Sequence, residues 1–174
     1  MIIESQPTIL SLMRQFALAP VEHPEIISSV LPLILGAVII ELYFGKHKQE
    51  VLGWNTSVGN AVIWISTGIN LLINSTLESA LEQAVVYFIL LTGLFIAYMD
   101  FFHKWKPAVA FRVSTPDIIY PLGYITVVIV KTDVPINDIT LKAAIAFIAT
   151  SFVIFRVMRF FESPARDQFN SLDM

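Results

Sequence analysis

The residues of this sequence best suited to chemistry are amide, hydroxyl and charged side chains set inside long apolar runs. Ser57, Asn60, Trp64, Thr67, Asn70 and Asn74 share one such run. On a helix of 3.6 residues per turn they project within about 140° of one another. The opposite face carries Val58, Val62, Ile65, Ile69 and Ile73. An asparagine facing lipid is costly, so the stripe is expected to face other helices or a wet cavity. Facing helices, it would fix their packing through hydrogen bonds worth about 0.6–2 kcal/mol each. Facing a cavity, it would line a path for a small solute. The stripe holds no ionisable group, which favours the packing role.

A second set is ionic. Glu41, Asp100, Arg156 and Arg159 lie at the ends of three apolar runs that reach the same membrane face. An unpaired carboxylate at that depth is expensive, so pairing with arginine is expected. The expected result is an inner-face ionic cluster joining three helices. Its alternative uses are a protonatable site or a headgroup pocket, because the guanidinium fork suits phosphate.

Other chemistries find less support. His23, His47 and His103 have no close partner of the H-x-x-x-H kind and read as solvated interface residues rather than metal ligands. The absence of cysteine excludes disulfides and thiolate-held metals. In GWNTSVGN, from Gly53 to Asn60, residues Asn55, Thr56 or Ser57 are suited to cap the helix that follows. There is no G-x-S-x-G, H-E-x-x-H or kinase motif. No catalytic residue, metal site or cofactor is therefore assigned.

Composition says what must position these side chains. Of 174 residues, 56% are hydrophobic and 14% charged, against about 25% charged in soluble domains. Mean hydropathy is +0.71. With 11 Lys and Arg against 14 Asp and Glu, no basic excess points to nucleic acid. The expected class is all-α, a single polytopic membrane domain over residues 1–174 whose first partner is the lipid bilayer.

A membrane-spanning helix needs about 20 mostly apolar residues. Charge-free windows of 15, 27 and 17 residues follow Glu25, Glu50 and Glu82. They place spans at about 26–44, 57–75 and 83–101. Windows of 13 residues follow Asp117 and Lys142. The last lengthens to 140–161 if Lys142, Arg156 and Arg159 run their stems along the helix. The fourth, 114–131, contains Pro121 and Gly123 and either crosses or re-enters. Five spans are expected, or four if it re-enters.

Ahead of them, Ile9, Leu12, Met13 and Phe16 share one helix face between Pro7 and Pro20. Residues 8–18 therefore read as a short helix, either lying in the interface or packed on the bundle. The beginning of the sequence does not read as a secretory signal.

The distribution of Lys and Arg orients the five-span arrangement. With the N-terminus outside, Lys46, Lys48, Lys104, Lys106, Arg112, Arg156, Arg159 and Arg166 lie inside, against Arg14, Lys131 and Lys142 outside. Aromatic residues flank the inner ends, in YFGKHK, FFHKWK and RVMRFF. The strings after Glu41 and Asp100 also resemble each other, which a shared interface explains as well as a repeat does. A prokaryotic plasma membrane is the expected location.

The favoured functional expectation is a non-catalytic subunit or assembly partner in a larger membrane complex, alongside other membrane protein subunits. A small-solute transporter or channel acting as an oligomer is the alternative, resting on the stripe. A membrane-embedded lipid-modifying enzyme is third and would draw on Glu41, Asp100, His103 and Arg112.

Overall fold

The computed structural model describes residues 7–46 and 53–161. His47, Lys48, Arg166 and the polar tail lie outside the described residues, as do the side chains of Tyr43, Phe44, Lys46 and Asn55. The described chain is helical: α1 (Ile9–Glu22), a 3-10 turn (Pro24–Ile26), α2 (Ile27–Lys46), α3 (Trp54–Asn74), α4 (Ala80–Phe101), α5 (Pro107–Val113), α6 (Pro116–Lys131) and α7 (Asp138–Phe161). Five helical segments are long and apolar enough to cross a membrane. The protein is an all-α, polytopic integral membrane bundle.

Local chemistry sets the boundaries. Thr8 and Ser11 cap α1 reciprocally, and Ser79 and Glu82 do the same for α4. Asn137 Oδ1 accepts from the amides of Ile139 and Thr140 at the start of α7. His103 (φ 49°) and Asp133 (φ 51°) take the left-handed conformation just past α4 and α6. The following amides, of Lys104 and Val134, fold back onto the carbonyls of Met99 and Ile129. Both ends thus form the left-handed stop that usually uses glycine.

The expected cap on α3 is replaced. The helix starts at Trp54 with Gly53 as its cap residue and no side-chain cap bond. Ser57 lies within the first turn, where its hydroxyl has a buried carboxylate to bind instead.

The fourth segment forms α5 and α6, broken between Val113 and Pro116, and together they are long and apolar enough to cross. It is also the centre of the bundle. Of its most apolar stretch 78% is buried, against 11% for α7. Helices α2, α3 and α7 pack around α6, while α4 packs chiefly on α3. The α3–α4 pair approaches closely through two glycines. A Cβ on Gly93 would stand 3.0 Å from side-chain atoms of Trp64 and Ile65, and one on Gly68 2.8 Å from Leu90. Small residues at such crossings let membrane helices gain dispersion contacts that lipid would otherwise supply.

Helix α1 packs on the bundle. Leu12, Phe16 and Ala19 are buried against α6 and α7, with the Phe16 ring edge-on to Phe147. The helix also runs through Pro20 to Glu22 rather than ending there. A proline has no amide hydrogen for the carbonyl four residues back, here Phe16. The Tyr124 hydroxyl of α6 donates to that carbonyl at 2.7 Å, so the helix continues without an orphaned group.

Candidate functional site

The charged residues of the bundle core meet where α2, α6 and α7 converge. Arg159 of α7 forks onto Glu41 of α2 through Nε and Nη2, the latter 2.8 Å from Oε1. The same Nη2 lies 2.9 Å from Asp117 Oδ1 on α6. Arg156 stands one turn earlier on α7, with Nη2 3.4 Å from Asp117 Oδ2. Its guanidinium also lies 4.8 Å from the centre of the Phe152 ring. Both carboxylates are buried, whereas Arg159 is 19% and Arg156 55% exposed. Two carboxylates and two guanidiniums balance in charge. Asp117 Oδ2 is buried and has no hydrogen-bond donor among the described residues.

The membership of this cluster corrects one expectation. Asp100 is not in it. Asp117, which sequence reasoning used only as the edge of a window, takes that place. Asp100 instead sits on the α3 side of the bundle, fully buried. Ser57 Oγ donates to its Oδ2 and Trp105 Nε1 to its Oδ1. No cation pairs with Asp100 among the described residues.

Ser57 begins a polar network directed at the broken fourth segment. The Ser114 hydroxyl lies 2.7 Å from Ser57 Oγ and 2.9 Å from the Ala110 carbonyl. The break frees the Ser114 carbonyl, because the amides of Ile118 and Ile119 both bond to Thr115. Asn60 Nδ2 donates to that freed carbonyl at 2.6 Å. One turn on, Trp64 Nε1 donates to the Ile119 carbonyl at 3.1 Å. The stripe on α3 therefore satisfies backbone that lipid could not satisfy.

The rest of the stripe diverges. Thr67 is buried facing α6, its Oγ1 4.0 Å from where a Cβ on Gly123 would lie. Asn70 Oδ1 accepts from Ser29 Oγ of α2 at 3.1 Å. Asn74, the last residue of α3, is exposed. No sequence signal joined Ser114 to the stripe, since it lies 54 residues from Asn60 and its role depends on a helix break.

The two described histidines take peripheral places. His23 Nδ1 is 3.1 Å from Glu25, and His103 stacks on Trp54 with ring centres 3.9 Å apart. Trp54 Nε1 in turn donates to the Trp105 carbonyl at 3.1 Å. Among the described residues no three His, Asp or Glu side chains converge as metal ligands. Ser57 has the Asp100 carboxylate beside it, and among the described residues no imidazole bonds to its hydroxyl. What the two clusters do chemically is hold charge and backbone polarity inside an apolar bundle.

Compared with known protein families, with curated proteins and with solved structures, the chain matches none.

Proposed function

We propose that this chain is a non-catalytic integral membrane subunit of a larger membrane protein complex, and that it docks through the outward face of α4. One observation carries the reading. Tyr87, Phe88, Phe95 and Tyr98 are exposed on α4, on the side opposite the buried Val86, Ile89, Gly93, Ile96 and Asp100, with exposed Phe101 and Phe102 at its end. Aromatic side chains are enriched at protein interfaces. Rings serving only as headgroup anchors would gather at the membrane edges. Tyr87 and Phe88 instead lie about two turns inside the helix. The polar side chains of α3, meanwhile, are largely engaged within the bundle and leave little to line a solute path.

In this reading the end bearing Glu41, Asp100 and Arg159 faces the cytoplasm of a prokaryotic cell, with the N-terminus outside. The excess of Lys and Arg toward that end supports the assignment.

A photo-crosslinking residue at Phe88 or Phe95, introduced in the native host, tests the reading. The expected result is one unlike chain crosslinked in stoichiometric yield, with the same residue at Ile69 on α3 silent. A particle containing this chain alone, after extraction in gentle detergent, would overturn it.

A solute transporter is the second reading. The discontinuous α5–α6 segment with a buried Asp100 beside its break favours it, since transporter sites are often built at broken helices. Unchanged flux of every solute tested in a folded Asn60→Leu, Asn70→Leu variant would end that reading.

A further inference from the structure

Helix α1 runs alongside the bundle. The His23 amide closes it onto the Ala19 carbonyl, and the 3-10 turn with buried Ile26 leads straight into α2. Leu12, Phe16 and Ala19 form one buried stripe along α1, packed on α7 and α6.

Phe16 gives the depth of this packing. Its carbonyl accepts from Tyr124, seven residues in from Lys131 at the end of α6. Its ring meets Phe147, nine residues in from Asp138 at the start of α7. At 1.5 Å per residue, both lie about 10–14 Å inside the ends of their helices. Arg14 is two residues further from the α1–α2 turn than Phe16, hence about 3 Å deeper. In a hydrocarbon core about 30 Å thick, that is near the middle. Its Cα–Cβ bond tilts toward the start of α1, further still from the nearer surface.

Arg14 is nonetheless exposed, and no ion pair holds it among the described residues. It does not stand alone. Leu10, Arg14, Ala17 and Val21 are all exposed and form one line on the face opposite Leu12, Phe16 and Ala19. Their alternating spacing of four and three residues is that of a helix–helix seam. Leu10 and Val21 are 77% and 76% exposed, so nothing in this chain covers the seam. An arginine left facing lipid at such depth is among the costliest placements in a membrane.

Charge identifies what covers it. The counter-charge at this depth is a carboxylate, since water and phosphate belong to the membrane surfaces. A second copy of the chain has none to give. Glu41 and Asp117 are buried and bonded to Arg159, and Asp100 is buried and bonded to Ser57 and Trp105. The other described acids lie at or beyond helix ends.

We propose that the outward face of α1 seats one membrane helix of an unlike chain, with an aspartate or glutamate of that helix paired to Arg14. Leu10 and Val21 supply apolar contact on either side, and the small Ala17 allows close approach. The guanidinium fork matches a carboxylate, and one polar pair within an apolar seam fixes the register of two helices. This places Arg14 within the bilayer rather than at the outer surface. The inference rests on the subunit reading but uses a separate surface, because α1 packs chiefly on α7 and α4 chiefly on α3.

The test uses the full chain in its native host, with a photo-crosslinking residue at Leu10, at Phe88 or, as the lipid-facing control, at Ile69. Adducts are identified by mass spectrometry. Leu10 should capture a membrane helix of an unlike chain, with an aspartate or glutamate within about two turns of the attachment point. Arg14→Leu should lower that yield about tenfold, as for loss of one polar contact between membrane helices. Its thermal unfolding in detergent should match wild type, because the position is exposed. Arg14→Lys should keep most of the yield. Replacing the captured acid by its amide in the partner should repeat the loss with this chain unaltered, which keeps the test open if Arg14→Leu does not accumulate. Capture of lipid alone, of a second copy or of a helix without an acid overturns the proposal. So does an undiminished yield in Arg14→Leu. Capture at Phe88 with none at Leu10 overturns it while leaving the α4 docking intact; capture at Leu10 with Phe88 silent does the reverse.

Discussion

The Tyr124 hydroxyl donates to the Phe16 main-chain carbonyl, joining the centre of α6 to the middle of α1. The bond exists because Pro20 cannot make it. A residue that would ordinarily end a helix here creates a docking point for another. Tyr124→Phe should orphan the carbonyl and lower stability by about 1–3 kcal/mol. Thermal unfolding in detergent measures this. Pro20→Ala restores an amide donor to Phe16, so the cost of Tyr124→Phe should shrink in that background. Equal costs in both backgrounds would refute the compensation.

Arg159 should be the most sensitive charged position. Arg159→Met leaves Glu41 and Asp117 buried without their shared guanidinium, a loss of about 3–5 kcal/mol. Arg159→Lys should recover only part of it, since an ammonium cannot fork onto both carboxylates. Arg156→Ala should cost under about 1 kcal/mol, because that side chain is largely solvated. Denaturant titration of the three variants gives the ranking; a larger loss at Arg156 than at Arg159 would contradict it.

The stripe on α3 should divide sharply along its length. Asn60→Leu deprives the Ser114 carbonyl of its donor and should destabilise by about 1–3 kcal/mol. Asn74→Leu alters an exposed helix end and should stay within about 0.5 kcal/mol of wild type. Similar losses at the two positions would show that the broken segment does not depend on Asn60.

The proposed orientation can be checked because the sequence has no native cysteine. Single cysteines at Glu78, Lys104 and Asn137 all replace exposed residues. An impermeant maleimide added to intact cells should label positions 78 and 137 and leave 104 unreacted. Labelling at 104 alone would invert the orientation.

The spans were legible because a charge inside a membrane helix is expensive, and charge-free windows therefore mark their limits. Their arrangement was less so. Depth along a helix can be read from such windows, but the direction around the bundle depends on which helices become neighbours. Asp100 and Asp117 illustrate this: both lie toward one end, yet only Asp117 faces Arg159. The central position of α6 was hidden for a related reason. A helix enclosed by protein need not be continuous or uniformly apolar, so Pro121 and Gly123 looked like weakness, and the break at Ser114 gave no signal of its own. The partner of Pro20 was illegible because it lies 104 residues away, at Tyr124. The α3 stripe was legible as a stripe, whereas the acceptors of Asn60 and Trp64 are backbone carbonyls that sequence does not distinguish.

Arg159 lies near the end of α7 and follows both of its carboxylate partners in the chain. A chain made from its N-terminus delivers Glu41 first, then Asp117, and the guanidinium that pairs with both only 42 residues later. Until then the two acids must remain hydrated or protonated. A nascent bundle interrupted before residue 159 therefore lacks the latch that ties α7 to α2 and α6.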